Sequence, residues 1–114
     1  MPLIKMQTAN PIDRTREEPL LKAMSDVIAK ETGKPAAYIM ATIEQTPIML
    51  AEESGNAALF DIRGIGGLTQ PVNEAITKGL CTLCEKELGI PASRVYATFT
   101  DVARPNWGWN NATF

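Results

Sequence analysis

Hydrophobic and polar positions along this chain follow two periods, and each period predicts a different kind of element. Residues 2–8 form a short extended segment rich in apolar side chains, which is typical of a strand. Over residues 17–32 apolar positions recur at helical spacing until Gly33, so an amphipathic helix with one buried face is expected. Residues 38–44 are rich in β-forming side chains and end before Pro47, which predicts a second strand. The first half is therefore predicted to be β-α-β.

The second half repeats this order of elements. Residues 57–62 predict a strand, and the glycine-rich residues 64–67 predict a flexible turn. Pro71 marks the start of a second amphipathic helix, which Gly89 ends. Residues 94–100 then predict the fourth strand.

The two helix exits point to an internal duplication, because residues 33–43 and 89–99 match in register at glycine, proline, alanine and threonine positions. Chance similarity between two helix ends is the alternative. The predicted fold class is α/β, more narrowly α+β: a duplicated β-α-β with a four-stranded sheet and two helices on one face, in a single domain of residues 1–114. We expect Leu, Ile, Met, Val and Phe side chains on the uncovered face, hence self-association, with residues 102–114 packing on a neighbouring subunit.

The composition narrows the chemistry that this domain can perform. With 11 basic and 13 acidic residues, the chain has no positive field to collect phosphates, so neither nucleic acid nor a membrane surface is an expected partner. No signal-peptide pattern and no bilayer-length apolar run occur, which predicts a cytoplasmic protein unless secretion is unconventional. Histidine is absent, so a proton shuttle must use another group, such as the α-amino group.

Two residues are candidates for that chemistry. Pro2 follows Met1, and removal of Met1 by methionine aminopeptidase leaves a secondary amine, whose pKa burial and nearby positive charge lower toward neutrality. An inert terminus is the alternative for Pro2. Lys34 follows the helix-ending Gly33 and precedes Pro35, which holds it in a defined turn where it could bind a carboxylate. Its alternative is a lysine that interacts with the helix dipole.

Two further motifs favour structural roles. Cys81 and Cys84 have the spacing of a redox dithiol but lie inside the second helix, where Cys84 continues the apolar stripe, so core packing is the favoured interpretation. The glycine-rich residues 64–67 lack the lysine or the third glycine of phosphate-binding loops, and a turn is the better interpretation.

The chain resembles the macrophage migration inhibitory factor family over its whole length. The segments that carry the resemblance are Met1-Pro2, Thr32-Gly33-Lys34-Pro35 with Tyr38-Ile39, Ile62 before Gly64-Ile65-Gly66-Gly67, Arg94-Val95-Tyr96, and residues 106–114. The Gly-Trp-Asn-Asn-x-Thr-Phe pattern in the last segment is very specific. The resemblance implies a homotrimer with sites between subunits. It also implies phenylpyruvate tautomerase activity on small aromatic α-keto acids, with dopachrome-type substrates included, and neither a cofactor nor a metal.

The resemblance also implies roles for individual residues. Pro2 would be the catalytic base, and Lys34 would bind the substrate carboxylate and lower the pKa of the amine. The implied substrate-binding residues are Ile62, Tyr96 from the adjacent subunit, Tyr38 and Trp109 around an aromatic ring, and Thr98.

The chain departs from the animal members of the family at three places. Thr98 stands where they have a substrate-binding asparagine, and Trp107 stands where they have valine, which alters the mouth of the pocket. Residues 54–57 align with their Cys-Ala-Leu-Cys motif but contain no thiol, so thiol-disulfide activity is not implied.

Two rival functions remain open. A cytokine-like interaction protein with a vestigial or secondary tautomerase site is the main alternative, with an unknown protein receptor. A small-molecule-binding regulatory module is the second, because many binding domains share the duplicated β-α-β arrangement. A catalytic Pro2 distinguishes the tautomerase from both.

Overall fold

Two β-α-β units built on one plan form the computed structural model, which describes residues 1–114. In chain order the elements are β1 (Pro2–Thr8), α1 (Arg14–Thr32), β2 (Met40–Gln45), β3 (Met49–Leu50), β4 (Glu53–Ser54), β5 (Ala58–Gly64), α2 (Gln70–Leu88), β6 (Val95–Asp101), β7 (Gly108–Trp109) and β8 (Ala112–Thr113). Short 3-10 turns at Ala36–Tyr38, Ala92–Arg94 and Arg104–Asn106 connect some of these elements. The predicted fold class is thereby confirmed.

The central sheet has the strand order β2-β1-β5-β6. Each β-α-β unit supplies one parallel pair, β1 with β2 and β5 with β6, and the two units meet where β1 runs antiparallel to β5. Along β1 and β5 alternate residues are buried, which places Ile4, Met6, Phe60 and Ile62 on the side covered by the helices. The strand order thus joins the two units through their first strands.

The two helices repeat the same buried positions. The buried residues of α1 are Leu20, Met24 and Ile28, and those of α2 are Ile76, Leu80 and Cys84. Each member of the second set follows its counterpart by 56 residues, the separation between the helix-ending Gly33 and Gly89. Burying such a side chain contributes on the order of 1.5–3 kcal/mol. The duplication therefore extends from the sequence pattern to the core.

Several element boundaries differ from the sequence predictions; β2, for example, begins at Met40, because Tyr38 belongs to a 3-10 turn. Helix α1 begins at Arg14, three residues before the predicted start, and it includes Pro19. The sequence pattern does not show this first turn, because residues 14–18 are polar or charged and carry no hydrophobic period. Gly64 is the last residue of β5 and pairs with Pro2, so it belongs to the sheet and not to the turn. The hairpins β3–β4 and β7–β8 were not predicted, because strands of two residues are too short to show a period.

The prediction of a largely apolar uncovered sheet face was wrong. The Ile, Val and Phe side chains of the strands pack in or against the core beneath the helices. The uncovered face carries four apolar and at least four charged residues: Leu3, Met40, Leu59 and Tyr96, and Lys5, Glu44, Asp61 and Arg63. Polar pairs cross this face, with Gln7 donating to Glu44 at 2.9 Å and Arg63 contacting Asp61 at 3.1 Å.

No helix is both long enough and apolar enough to cross a membrane.

Candidate active site

A groove of about 260 Å³ opens at the end of the sheet where β1 begins. Its lining comes from the chain start, the turn after α1, the loop after β5 and the C-terminal tail: Met1, Pro2, Lys34, Pro35, Tyr38, Ile65, Arg104 and Phe114. Three of the residues predicted from the sequence, Pro2, Lys34 and Tyr38, therefore lie together although the chain separates them. The groove thus brings together the start of the chain, the positively charged side chains of Lys34 and Arg104, and aromatic side chains.

Pro2 is the first residue of β1, opposite Gly64 of β5, and its side chain is buried. Proline cannot donate an N–H to the sheet, and it is tolerated here because it is the first residue of the strand. With Met1 attached, the nitrogen of Pro2 is an amide and the free amine belongs to Met1. Burial, and then the positive charge of Lys34, lower the pKa of the Met1 amine from its ordinary value. The environment at this chain start thus disfavours a protonated amine.

Lys34 is held in the groove by the loop that follows β5. Its ammonium donates to the carbonyl oxygens of Ile65 at 2.8 Å and Gly66 at 2.9 Å, which leaves one of its three protons without a protein acceptor. Burial lowers the pKa of Lys34, and Asp101 opposes that shift. The same Asp101 accepts a hydrogen bond from the Gly66 N–H at 2.8 Å. Lys34 is therefore fixed in position with one donor available to an anion.

Gly67 leaves room for the lysine side chain. A Cβ at this position would stand 3.4 Å from Cε of Lys34, and the φ of Gly67 is +81°. Both the close approach and the left-handed backbone favour glycine here. The glycine-rich loop therefore cradles a cation with its carbonyl groups instead of a phosphate with its N–H groups.

Aromatic side chains form one wall of the groove. Tyr38 meets Trp109 edge to face, with ring centroids 6.1 Å apart, and Trp109 stacks on Phe114 at 6.2 Å. Tyr38 and Phe114 line the groove itself, while Trp109 contacts both rings without lining it. All three rings remain partly exposed, at 49%, 54% and 39% for Tyr38, Trp109 and Phe114, so an apolar ligand ring could still cover them.

Four of the predicted residues do not line this groove: Trp109, which contacts its aromatic wall, and Ile62, Tyr96 and Thr98. Ile62 is fully buried in the core, so its side chain lies beneath the site and not on its surface. Tyr96 and Thr98 lie on the uncovered face of the edge strand β6. Asp101 of β6 pairs with Gly64, which pairs with Pro2, so Asp101 marks the groove end of this strand. Tyr96 is five residues before Asp101, which places it roughly 16 Å along the strand from that end.

Sequence reasoning missed Ile65, Arg104 and Phe114 as groove residues. Ile65 stands in the glycine-rich segment that was interpreted only as a turn. Arg104 and Phe114 belong to the tail, whose packing on the same subunit no periodicity indicates. Within the tail, the N–H of Phe114 donates to the carbonyl of Trp107 at 3.3 Å, which closes the β7–β8 hairpin.

The two cysteines lie away from the groove and are poorly suited to redox chemistry. Both thiols are free, and burial raises the pKa of Cys81. Burial, followed by the influence of Cys81, raises the pKa of Cys84 to about 12. Thiolates are the reactive form, so these residues are inert near neutral pH. Their side chains instead belong to the core or pack against it.

The fold and the site together define a class: a small α+β domain of two β-α-β units with a groove at the start of its first strand. Residues 1–114 match the family model described as "Macrophage migration inhibitory factor (MIF)". The chain therefore belongs to the macrophage migration inhibitory factor family.

Individual relatives agree over nearly the full length. A macrophage migration inhibitory factor of Xenopus laevis is 36% identical over 115 aligned residues, which cover 100% of this chain and 99% of the relative. Among solved structures, a homologue from Prochlorococcus marinus is 31% identical with a TM-score of 0.89, covering 98% of both chains. The macrophage migration inhibitory factor of Toxoplasma gondii is 28% identical with a TM-score of 0.92, covering 98% of this chain and 99% of that one.

Proposed function

We propose that this protein is a keto-enol tautomerase of phenylpyruvate-like α-keto acids, and that the amine of Pro2, freed by removal of Met1, is its general base. The observation that carries the proposal is the position of the chain start in a groove beside Lys34. A secondary amine is a base of suitable strength only where its cationic form is disfavoured. The burial and the positive charge that lower the pKa of the Met1 amine would act on Pro2 in the same way.

The proposed reaction moves one proton and changes no oxidation state. In the enol-to-keto direction, the neutral amine takes the proton of the enol hydroxyl as the C=O bond forms, and then gives a proton to the benzylic carbon. The reverse sequence removes a benzylic proton and protonates the carbonyl oxygen. Lys34 would hold the substrate carboxylate with its free donor. Tyr38 and Phe114 would contact the aromatic ring and keep the benzylic carbon near the amine.

Proteins that differ only at the terminus test this proposal. Processed protein that begins with Pro2 should tautomerise phenylpyruvate, whereas a homogeneous Met1-retaining sample, verified by intact mass, should lose about 100- to 10,000-fold in kcat/KM. The loss is expected because an amide nitrogen is not basic. Circular dichroism should show the same fold in both samples. The Pro2→Gly variant keeps a terminal amine and serves as the matched control, with part of the activity retained. Equal rates for the processed and Met1-retaining samples would refute the role of the terminal amine.

The proposed assembly is a homotrimer with sites between subunits. Two observations support self-association: the groove of one chain is smaller than the roughly 300–1,000 Å³ of typical ligand sites, and Met40 and Tyr96 are 65% and 60% exposed on the uncovered sheet face. Tyr96 of a neighbour would complete the groove that its own chain does not reach. Analytical ultracentrifugation at micromolar concentration should give three times the 12.4 kDa chain mass. A monomer at that concentration would contradict the assembly.

A further inference from the structure

Arg104 is a second cation in the groove, and the chemistry proposed above does not use it. It lines the same space as Pro2 and Lys34 but comes from the segment after β6. Arg104 therefore adds a second positive charge to the lining that a ligand in the groove would meet.

The backbone around Arg104 holds it at this end of the sheet. Two residues before it, the N–H of Val102 donates to the carbonyl of Gly64 at 2.8 Å, and Gly64 is the residue that pairs with Pro2. Arg104 then begins the 3-10 turn Arg104–Asn106, and its own carbonyl accepts the Trp107 N–H at 3.2 Å. Pro105 restricts the turn further because its φ is fixed. The Cα of Arg104 is thus anchored to the strand that faces the chain start.

The guanidinium of Arg104 has no partner within the protein. Arg16, Arg63 and Arg94 each contact a carboxylate, at 3.1, 3.1 and 3.7 Å. Arg104 makes no such contact, and Asp101, three residues before it, instead accepts the Gly66 N–H. An arginine that lines a groove and keeps all five donors unpaired offers a planar fork that matches a carboxylate, sulfonate or phosphate group.

We infer that Arg104 forms a second anion subsite, and that the groove prefers aromatic α-keto acids whose ring carries a second acidic group. This inference rests on the proposed function, because it assigns Lys34 to the α-keto carboxylate and the aromatic wall to the ring. A benzene ring that carries a second anionic group calls for a second cation besides Lys34, and Arg104, which lines the same groove, supplies it. Singly charged phenylpyruvate leaves the guanidinium without a partner.

Paired substrates test the subsite directly. Phenylpyruvate and 4-carboxyphenylpyruvate differ only in the ring carboxylate, so the ratio of their kcat/KM values isolates its contribution. The processed wild-type protein should favour 4-carboxyphenylpyruvate, and Arg104→Ala should lower the ratio by about five- to tenfold, as expected for an arginine–carboxylate contact that is partly open to solvent. Arg104→Lys should restore part of the ratio, because it keeps the charge and loses the fork. Arg14→Ala removes the same charge at the exposed start of α1 and should leave the ratio at its wild-type value.

A binding measurement keeps the test independent of catalysis. Cinnamate and 4-carboxycinnamate have the same charge difference but cannot tautomerise. Calorimetry should show tighter binding of 4-carboxycinnamate to the wild-type protein, and Arg104→Ala should remove that difference. If phenylpyruvate is turned over while Arg104→Ala changes neither ratio, the subsite is refuted and the tautomerase proposal stands. If neither keto acid is turned over but the binding difference depends on Arg104, the subsite stands and the proposed function fails.

Discussion

The two β-α-β halves share a backbone but differ in chemistry at one position. After α1, Gly33 with φ +71° is followed by Lys34 and Pro35, and after α2, Gly89 with φ +66° is followed by Ile90 and Pro91. The same 3-10 turn comes next in both halves. Lys34 enters the groove, whereas Ile90 is fully buried in the core. The same position after the helix is thus occupied by a groove residue in the first half and by a core residue in the second half.

The hydrogen bonds around the two positions explain this difference. The N–H of Ile90 donates to the carbonyl of Cys84 at 3.2 Å, so the chain folds back against the last turns of α2, and the side chain of Ile90 is buried in the core. The N–H of Lys34 donates instead to the hydroxyl of Thr32 at 3.2 Å. The side chain of Lys34 then finds carbonyl acceptors in the loop after β5. Two similar helix ends therefore place one side chain in the core and the other in the groove, and both the side chain and its backbone hydrogen bond differ between them.

Truncating the packing position should have the largest effect. Ile90→Ala leaves a cavity in the core and should lower the free energy of unfolding by about 2–5 kcal/mol. Urea denaturation followed by circular dichroism measures this change. Lys34→Ala is the matched control at the equivalent position, and its cost in stability should be smaller because the side chain is only partly buried. Equal losses in the two variants would contradict the division of roles.

Removing the cation should have the next largest effect, on activity. Lys34→Ala in the processed protein should reduce kcat/KM for phenylpyruvate by about 10- to 100-fold, because a charge-assisted contact to the carboxylate is lost. The positive charge that lowers the pKa of the amine is lost as well, so that pKa should rise. Because the neutral amine is the active form, the acid limb of the pH profile of kcat/KM should move to higher pH.

Two comparisons sharpen this test. Lys34→Ile makes the first half resemble the second and should shift the pH profile in the same direction as Lys34→Ala. Lys34→Arg keeps the charge, so its acid limb should stay close to that of the unmodified protein. An unchanged profile in Lys34→Ala would mean that Lys34 acts on the substrate alone.

The sequence predicts elements with long periods better than it predicts the site. The apolar stripe of residues 17–32 and the matched helix exits contain enough positions to reveal α1 and the duplication. Arg104 has no such signal, since it belongs to a 3-10 turn whose place depends on a bond between Val102 and Gly64. The orientation of the sheet is equally hidden, because which alternate residues face the helices depends on the packing of all four strands.

The resemblance to a family supplied what periodicity could not. It predicted that Pro2, Lys34 and Tyr38 belong to one site, and the structure places all three around one groove. It also suggested Ile62 as a wall of the pocket, whereas the structure buries that side chain in the core. The roles that the resemblance implies for these residues stay predictions, which the variants proposed above test in part.

The two halves also differ in the residues that form the turns of their short hairpins, β3–β4 and β7–β8. In each, two residues with positive φ connect strands of two residues: Ala51 and Glu52 between β3 and β4, and Asn110 and Asn111 between β7 and β8. Such turns favour glycine and asparagine, because other side chains are strained in the left-handed region. The first hairpin is held by Arg94, which donates to the carbonyl oxygens of Leu50, Glu53, Gly55 and Asn56. The tertiary contact offsets unfavourable turn residues.

Replacing the strained Glu52 of the first hairpin should give the smallest of the expected effects, and the test is whether the free energy of unfolding rises or falls. Glu52→Gly should raise the free energy of unfolding by about 0.5–1 kcal/mol, because φ is +64° at this position and glycine adopts it without steric cost. Asn111→Gly is the matched change in the second hairpin and should gain less, since asparagine already tolerates its φ of +66°. Thermal unfolding of both variants at one pH and one protein concentration measures the difference. A loss of stability in Glu52→Gly would show that the glutamate side chain, and not the backbone, decides the stability of the first hairpin.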